Sequence, residues 1–422
     1  MSQPGDQVPP TRSPEAVAAA EPTLLVGVDC GSKAHAICVL DSNGKQKQKF
    51  EIEHSVEGFA HLVSELLKDG RDPGTIAVAI EDPHHAVVEW LLERRLRVFG
   101  LNPKQLDRFR DRHSVAGAKD DSRDAYVLAD SLRTDRHLFT ALEAPTAAQR
   151  AMREASRRYD TLQRDFNRQT NRLYALLLRS APNLLALCPA ADEAFFFALL
   201  KLAPTQDLAK KVRLAQVQRV LTMNSKRKFT ADHVLTVLRA PRLTLAPGGQ
   251  EAIAKNLLSE LRLLVPSHAE MVEMRNCLRE LCRTAGRDAE ILDSFPGAGE
   301  MVTAAFIGEA GQAIAARNLA QLRGLTGVAP VTRRSGKSHS VSMRRACNRR
   351  LRDASFYWAR TAIVRDPVAK AQYQALRERG HTFARSLRSV ADRLLSRLIG
   401  ALKANTLYQP PPDSTDSTAS AA

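Results

Sequence analysis

The chain has 422 residues, 44% of them hydrophobic, and its 62 lysines and arginines against 46 acidic residues give a formal net charge of +16. This length predicts more than one domain. No apolar stretch approaches the roughly 20 residues of a membrane span, and the N-terminus does not resemble a secretory signal. We therefore expect a cytoplasmic protein with no membrane partner.

The six cysteines form no C-x-x-C pair, so the sequence suggests neither a zinc ribbon nor a disulfide framework, and buried or idle thiols are the simpler interpretation. Residues 1–22 and 409–422 are rich in proline, serine and alanine, which predicts a disordered leader and a disordered tail. Between them we predict three regions: an α/β domain over 23–145, a helical or coiled-coil region over 146–289, and a mainly α domain over 290–408.

The first region alternates strand and helix patterns. Two apolar runs, LLVGVDC and AHAICVLD, precede the turn Ser42-Asn43-Gly44 and the strand pattern QKQKFEIE. An amphipathic helix, the buried strand TIAVAIE, a second helix, the short strand RVFGLNP and a third helix follow. The order β-β-β-α-β-α-β-α predicts a mixed sheet with helices on its faces.

The middle region carries a heptad pattern. One seam repeats every seven residues, and a partner seam is interrupted by Gln169: Met152, Tyr159, Phe166 and Leu173, with Ala155, Leu162 and Leu176. The pattern predicts one long helix. Its spacing leaves open whether the partner helix belongs to this chain or to a second copy.

The third region is strongly basic. From Ile291 to Gln409 there are 20 basic and 7 acidic residues, and most of the basic ones are arginine. This asymmetry predicts a polyanionic partner, although a merely solubilising surface is the alternative. A Pro-Gly-x-Gly turn and the basic loop TRRSGKSHS lie among helices, which we expect over Met343–Val364 and from Asp366 to about Leu407.

Four carboxylates lie at positions suited to binding metal ions. Asp29 and Glu81 end two apolar strands, and Asp121 and Asp124 open a helix, three residues apart on one face. They can converge only if the first and fourth strands are neighbours in the sheet. Their oxygens then suit Mg²⁺ or Mn²⁺, and two such ions can clamp a phosphodiester. Alternatively, the helical pair simply complements the helix dipole.

Here the sequence resembles a family. The segments GVDCGSKAHAICVLD, AIEDPHH, GLNP and KDDSRDA resemble the RuvC-like domain of DEDD transposases, which include the Piv/MooV-like invertases and insertion-sequence family one hundred and ten. The resemblance implies an RNase H-like (RuvC-like) fold. The family pattern falls on these positions: Asp29, Glu81, Asn102-Pro103, Lys119, Asp121, Asp124 and Ala125. It assigns the four acids to catalysis and metal binding, and we expect Lys33 and Lys119 to contact phosphate.

The third region resembles the same family through FPGAGEMVTAAFIGEAG and GLTGVAPVTRRSGKS. The Ser-Gly motif gives Ser335 the position of the family's nucleophile, whereas basic Ser-Gly loops in general only contact phosphate. Cys347-Asn348 stands where the family often has Gly-Asn, which puts the local loop geometry in doubt. The basic residues expected to bind nucleic acid here are Arg333, Arg334, Lys337, Arg344, Arg345, Arg349, Arg350 and Arg352.

The resemblance implies a bacterial transposase, associated with the nucleoid when active, that acts on element ends and target DNA. The acids, with Mg²⁺, would activate Ser335 of another protomer to form a covalent 5′-phosphoserine link. The partners implied are a structured guide RNA, the bridge RNA, and further copies in a dimer or tetramer. The alternatives are a RuvC-like nuclease or Holliday-junction resolvase that uses water, and a non-catalytic nucleic-acid-binding protein.

Overall fold

A computed structural model describes residues 21–410 except 82, 84, 102, 114–120, 225–228, 244–247 and 337. The predicted leader and tail therefore lie almost wholly outside the described residues. Within them, none of the helices has the length and apolar character needed to cross a bilayer. The chain divides into two compact units, Met1–Ala144 and Pro145–Ala422.

The first unit is built on a five-stranded sheet in the order β3-β2-β1-β4-β5. Strands β1, β2 and β3 pair antiparallel, while β4 runs parallel to β1 and β5 parallel to β4. The predicted order of elements is confirmed, and β1 and β4 are neighbours. The elements are β1 Leu24–Cys30, β2 Ala34–Asp41, β3 Gln46–Glu53, α1 Val56–Leu66, β4 Ile76–Ile80, α2 Ala86–Glu93, β5 Arg97–Gly100, α3 Pro103–His113 and α4 Asp121–Asp135.

Alternation along β1 divides the core of this unit between the two faces of the sheet. Val26 and Val28 face the cluster that holds the apolar side chains of α1 and α2, and Leu25 faces the cluster that holds those of α4. Gly27 lies on the α4 side, where a Cβ would stand 1.8 Å from the carbonyl oxygen of Ala125. Only glycine lets the helix pack this close to the strand.

The second unit is helical except for one hairpin. Its elements are α5 Ala147–Ser180, α6 Ala194–Leu202, α7 Gln206–Lys211, α8 Leu214–Asn224, α9 Ala231–Arg239, α10 Gly249–Thr284, α11 Arg287–Asp293, α12 Gly299–Ala315, α13 Leu319–Thr326, β6 Val331–Ser335, β7 Ser338–Ser342, α14 Arg349–Arg365, α15 Pro367–Glu378 and α16 Phe383–Ala404.

Helix α5 confirms the predicted long helix and answers the question of its partner. Thr146 and Gln149 form a capping box at its start. All four residues of the first heptad seam are buried. The helix packs against α10 and α12 of the same chain. At Gly308 of α12, a Cβ would lie 2.7 Å from the backbone of Arg153, so these two helices are in close contact.

Three expectations for the third region were wrong in detail. The segment expected to be a loop forms the antiparallel hairpin β6–β7, in which Ser335 pairs with Ser338 across a two-residue turn. The helix expected from Met343 begins only at Arg349, because Asn348 caps it with its side chain. The single helix expected after Asp366 is divided into α15 and α16, with Gly380 between them at φ +79°.

Candidate active site

The register of the sheet brings two predicted acids side by side. Val28 of β1 pairs with Ile80 of β4 in parallel, and Asp29 and Glu81 are the next residue of each segment. Both follow the alternation onto the α4 face of the sheet, which Gly27 and Ala79 also occupy. Asp29 and Glu81 are each partly exposed. The two carboxylates therefore emerge together where neighbouring strands end.

Asp124 approaches the same region from helix α4. It precedes Ala125, whose carbonyl oxygen lies against Gly27, two residues before Asp29. Its side chain is 2% exposed, and Arg110 of α3 donates to both of its carboxylate oxygens, Nε to Oδ1 at 2.5 Å and a terminal nitrogen to Oδ2 at 2.6 Å. The hydrogen bond with Asp124 raises the pKa of Arg110, and the charges of Asp107 and Glu81 contribute in the same direction. One guanidinium thus interacts with two of the predicted acids.

The other predicted residues of this unit are only partly described. Helix α4 begins at Asp121, as predicted, but the Asp121 side chain lies outside the described residues. Asn102 and Lys119 also lie outside them. Lys33 is exposed in the loop between β1 and β2, and its carbonyl oxygen accepts a hydrogen bond of 2.8 Å from the backbone nitrogen of His54.

The donor set of these acids fits a hard divalent cation. Carboxylate oxygens are the ligands that Mg²⁺ and Mn²⁺ prefer. The structure already places one positive group, the Arg110 guanidinium, against Asp124 and within the electrostatic reach of Glu81. The carboxylates Asp29, Glu81 and Asp124 therefore have the donor chemistry that such a cation requires.

Ser335 lies at the tip of the hairpin in the second unit. Gly336 follows it at φ +52°, a conformation that favours glycine, so the Ser-Gly order has a local structural reason. Cross-strand pairing places Ser335, Arg333 and Ser340 on one face of the hairpin, whereas Arg334 and His339 form a pair on the other. These side chains are all exposed. The hairpin therefore presents a serine and an arginine together to solvent.

The other basic candidates fall into two groups. Arg345 and Arg349 are exposed, and Arg344 and Arg352 are partly buried, while Lys337 lies outside the described residues. Arg350 differs from all of them. It forms ion pairs with Asp160 at 2.6 Å and with Glu309 at 3.1 Å, and its side chain is 19% exposed. The structure thus gives Arg350 an internal role that the sequence analysis did not predict.

Sequence reasoning missed Glu309, whose carboxylate interacts with Arg157, Arg350 and Asn348. This carboxylate is fully buried in α12 and pairs with Arg157 at 2.8 Å as well as with Arg350. Asn348 donates to it at 3.0 Å while capping helix α14. The arginines and Asn348 keep the pKa of Glu309 low despite the opposing effect of its burial. A glutamate inside the apolar run FIGEAG was the available signal, because buried acids require partners.

Comparison with known proteins identifies the family. Residues 26–182 match the DEDD family model of the IS110 group, described as a transposase, and residues 289–374 match the model described as the transposase IS116/IS110/IS902 family. A protein of Streptomyces coelicolor described as the mini-circle transposase for IS117 is 32% identical over 389 residues, covering 89% of this chain and 93% of the relative. A Sinorhizobium fredii relative described as a transposase is 40% identical over 207 residues, covering 49% of this chain and 58% of its own. The chain is a member of the IS110/IS116/IS902 transposase family and is thus an enzyme of DNA transposition.

Proposed function

We propose that this transposase cleaves and exchanges DNA strands through a covalent serine–DNA intermediate that depends on a divalent metal ion. The observation that carries the proposal is the placement of Asp29 near the end of β1 and of Glu81 directly after the neighbouring parallel strand β4, with Asp124 on the helix α4 that packs against β1. The strand order β3-β2-β1-β4-β5, with three antiparallel strands followed by two parallel ones, supports an RNase H-like fold.

The residues proposed to hold the metal are Asp29, Glu81, Asp121 and Asp124, with Mg²⁺ preferred and Mn²⁺ as the substitute. A bound ion supplies charge neutralisation at the phosphate oxygens and favours ionised oxygen nucleophiles. The protein's own contribution is to fix the carboxylates on rigid strand ends and on a helix packed tightly against β1. This packing limits the motion of the carboxylates relative to one another.

Ser335 is the proposed nucleophile. Its Oγ forms a bond to the phosphorus, the bond from phosphorus to the 3′ oxygen breaks, and the 3′ oxygen takes up a proton as the serine hydroxyl loses one. The product is a 5′-phosphoserine link and a free 3′ hydroxyl, so rejoining to another strand is the reverse reaction. Arg333, on the same face of the hairpin as Ser335, is suited to stabilise charge on the phosphate.

The partners proposed are DNA and a structured guide RNA. An excess of 13 positive charges between Ile291 and Gln409, mostly arginine, supports binding to phosphate backbones without sequence reading. Base pairing with a guide would then supply the sequence specificity. We expect Arg333, Arg334, Arg345 and Arg349 to contribute most, because they are exposed.

The test is recombination of a plasmid that carries the element's ends. Asp29→Ala and Ser335→Ala should each abolish strand exchange, and only proteins with Ser335 should yield a denaturation-resistant protein–DNA adduct. Ser340→Ala is the matched control, since it removes a hydroxyl from the same face of the hairpin. An undiminished adduct in Ser335→Ala would refute the nucleophile assignment, and hydrolytic nicking by that variant would favour a resolvase that uses water.

The same assay addresses the assembly and the guide. We propose that the active species is a homo-oligomer, because exchange between two DNA ends needs at least two active sites. A mixture of Asp29→Ala and Ser335→Ala should then recover part of the activity, as each variant supplies what the other lacks. Ribonuclease treatment before the assay should abolish recombination, and unchanged recombination would exclude a guide RNA.

A further inference from the structure

Histidine and cysteine side chains gather on the face of the sheet opposite the acids. Cys30, the last residue of β1, is the cross-strand partner of His35 near the start of β2. His54 follows β3, and His85 caps the start of α2. Cys30 belongs with Val26 and Val28 to the core on the α1 and α2 side.

The potential ligand atoms of this group are close together. The Cys30 thiol and one ring nitrogen each of His35 and His85 all lie within 4.8 Å of one another. The rings of His35 and His85 stand nearly perpendicular, at 81°, with their centroids 4.9 Å apart. Small side-chain adjustments would bring three such atoms into the first coordination sphere of one ion.

His35 supplies an independent indication of a ligand. Its side chain is fully buried, and its Nδ1 has no hydrogen-bond partner among the described residues. A buried polar atom without a partner is rare in folded proteins. The other ring nitrogen, Nε2, is 3.1 Å from Nδ1 of His54. When Nε2 donates in this contact, Nδ1 retains a lone pair, and His54 orients the ring as residues behind metal ligands commonly do.

We propose that Cys30, His35 and His85 form a binding site for a transition metal ion of the Zn²⁺ class, oriented by His54 and separate from the carboxylate site. One thiolate and two imidazoles suit Zn²⁺ or Co²⁺ and do not suit Mg²⁺. Burial and the two neighbouring imidazoles lower the pKa of His35 to about 4, which keeps it in the neutral, ligating form.

The site joins the segments that present the catalytic acids. Cys30 is adjacent to Asp29 in sequence, and His85 follows Glu81 by four residues. An ion bound on this face would tie the end of β1 to the start of β2 and to the beginning of α2. Its expected role is to position the backbone of Asp29 and Glu81 from the opposite face of the sheet, without contact with DNA. His54 is exposed, so the ion has a route from solvent.

The test uses the full chain, freed of metal and titrated with Co²⁺. We expect one equivalent to produce a thiolate-to-cobalt charge-transfer band that Zn²⁺ abolishes and excess Mg²⁺ leaves unchanged. Cys30→Ser should remove the band, and His54→Phe should weaken binding about 10- to 100-fold. Cys277→Ser, which alters an exposed thiol in the other unit, should leave the titration as in the wild type.

Two further measurements keep the outcome decisive. Asp29→Asn should retain the cobalt band, so that failure of this site and failure of the carboxylate site are distinguishable. Zn²⁺ should protect Cys30 of the unmodified protein from alkylation, as mapped by mass spectrometry, which needs no variant to fold. The absence of a charge-transfer band in the wild type, or an undiminished band in folded Cys30→Ser, would overturn the proposal.

Discussion

Replacement of Arg110 by methionine removes the guanidinium that holds both carboxylate oxygens of Asp124. Methionine preserves part of the apolar stem of the side chain and removes its charge. If the carboxylates are a metal site, the wild-type protein must release this guanidinium before Asp124 can bind an ion. The variant should therefore bind Mg²⁺ more tightly and fold less stably without it.

The burial of the ion pair between Arg110 and Asp124 sets the size of both expected changes, in stability and in Mg²⁺ affinity. The Asp124 side chain is 2% exposed and that of Arg110 26%. Removing one partner of a buried pair costs about 3–5 kcal/mol, and we take the lower end because Arg110 reaches solvent. Since about 1.4 kcal/mol corresponds to a tenfold change, Mg²⁺ affinity should rise by at most about 100-fold. Mg²⁺ at 100 times its Kd should then restore about 2.7 kcal/mol of stability.

The assay is calorimetric titration of metal-free protein with Mg²⁺, together with urea unfolding in its presence and absence. Arg112→Met is the matched control, because Arg112 lies on the same helix and pairs instead with Asp135. Replacement of Arg112 removes the same charge from the helix and leaves the pair between Arg110 and Asp124 in place. Weaker or unchanged Mg²⁺ binding by Arg110→Met, or an equal gain in Arg112→Met, would refute the competition between guanidinium and metal.

Three other predictions concern separate parts of the chain. Arg333→Ala should reduce strand exchange more than Arg334→Ala in the plasmid assay, since only Arg333 shares a hairpin face with Ser335, and equal losses would show that total charge alone matters. Gly27→Ala should lower the free energy of unfolding by about 3 kcal/mol or more, because the added Cβ would clash with the backbone of Ala125. Gly400→Ala is the control in the same urea titration. Its added Cβ meets no described atom within 4 Å, so this variant should be as stable as the wild type or more stable. Burial raises the pKa of Cys282 to about 12 from an ordinary 9.0, so this thiol should resist alkylation at pH 9. Its contribution to stability should fall as the pH rises above 9, because the thiol then ionises in the unfolded chain before it ionises in the folded protein. Rapid alkylation of Cys282 in the folded protein at pH 9 would contradict this prediction.

The parts of the fold that could be predicted are those indicated by the local periodicity of apolar residues. The continuous apolar runs of β1 and β4 indicated buried strands, and the heptads from Met152 to Leu173 indicated a single long helix. The family resemblance carried by those strand ends and by the Ser-Gly motif is confirmed by the comparisons. The sequence did not by itself predict that β1 and β4 are neighbours. Their adjacency was the condition under which the acids could converge, and the strand order meets that condition.

The parts that were not predictable depend on contacts between distant residues. The sequence marked Arg350 as a phosphate ligand because it lies in an arginine-rich helix, yet Asp160 and Glu309, distant in sequence, pair with it. The Cys30 and His35 pairing was hidden for a related reason. Metal-site patterns depend on fixed short spacings, whereas this pairing arises from strand register. The salt bridge of Arg110 with Asp124 likewise required the packing of α3 against α4.

The two long helices of the second unit have a consequence for how it unfolds. Met152 and Tyr159 of α5 belong to one hydrophobic core, and Phe166 and Leu173 of the same helix belong to another. Helix α10 contributes to both cores as well. At about 1.5 Å per residue, α5 extends about 50 Å as one hydrogen-bonded rod. Loss of either core would unfold part of the helix that supports the other, so the described part of the second unit should unfold in one cooperative transition.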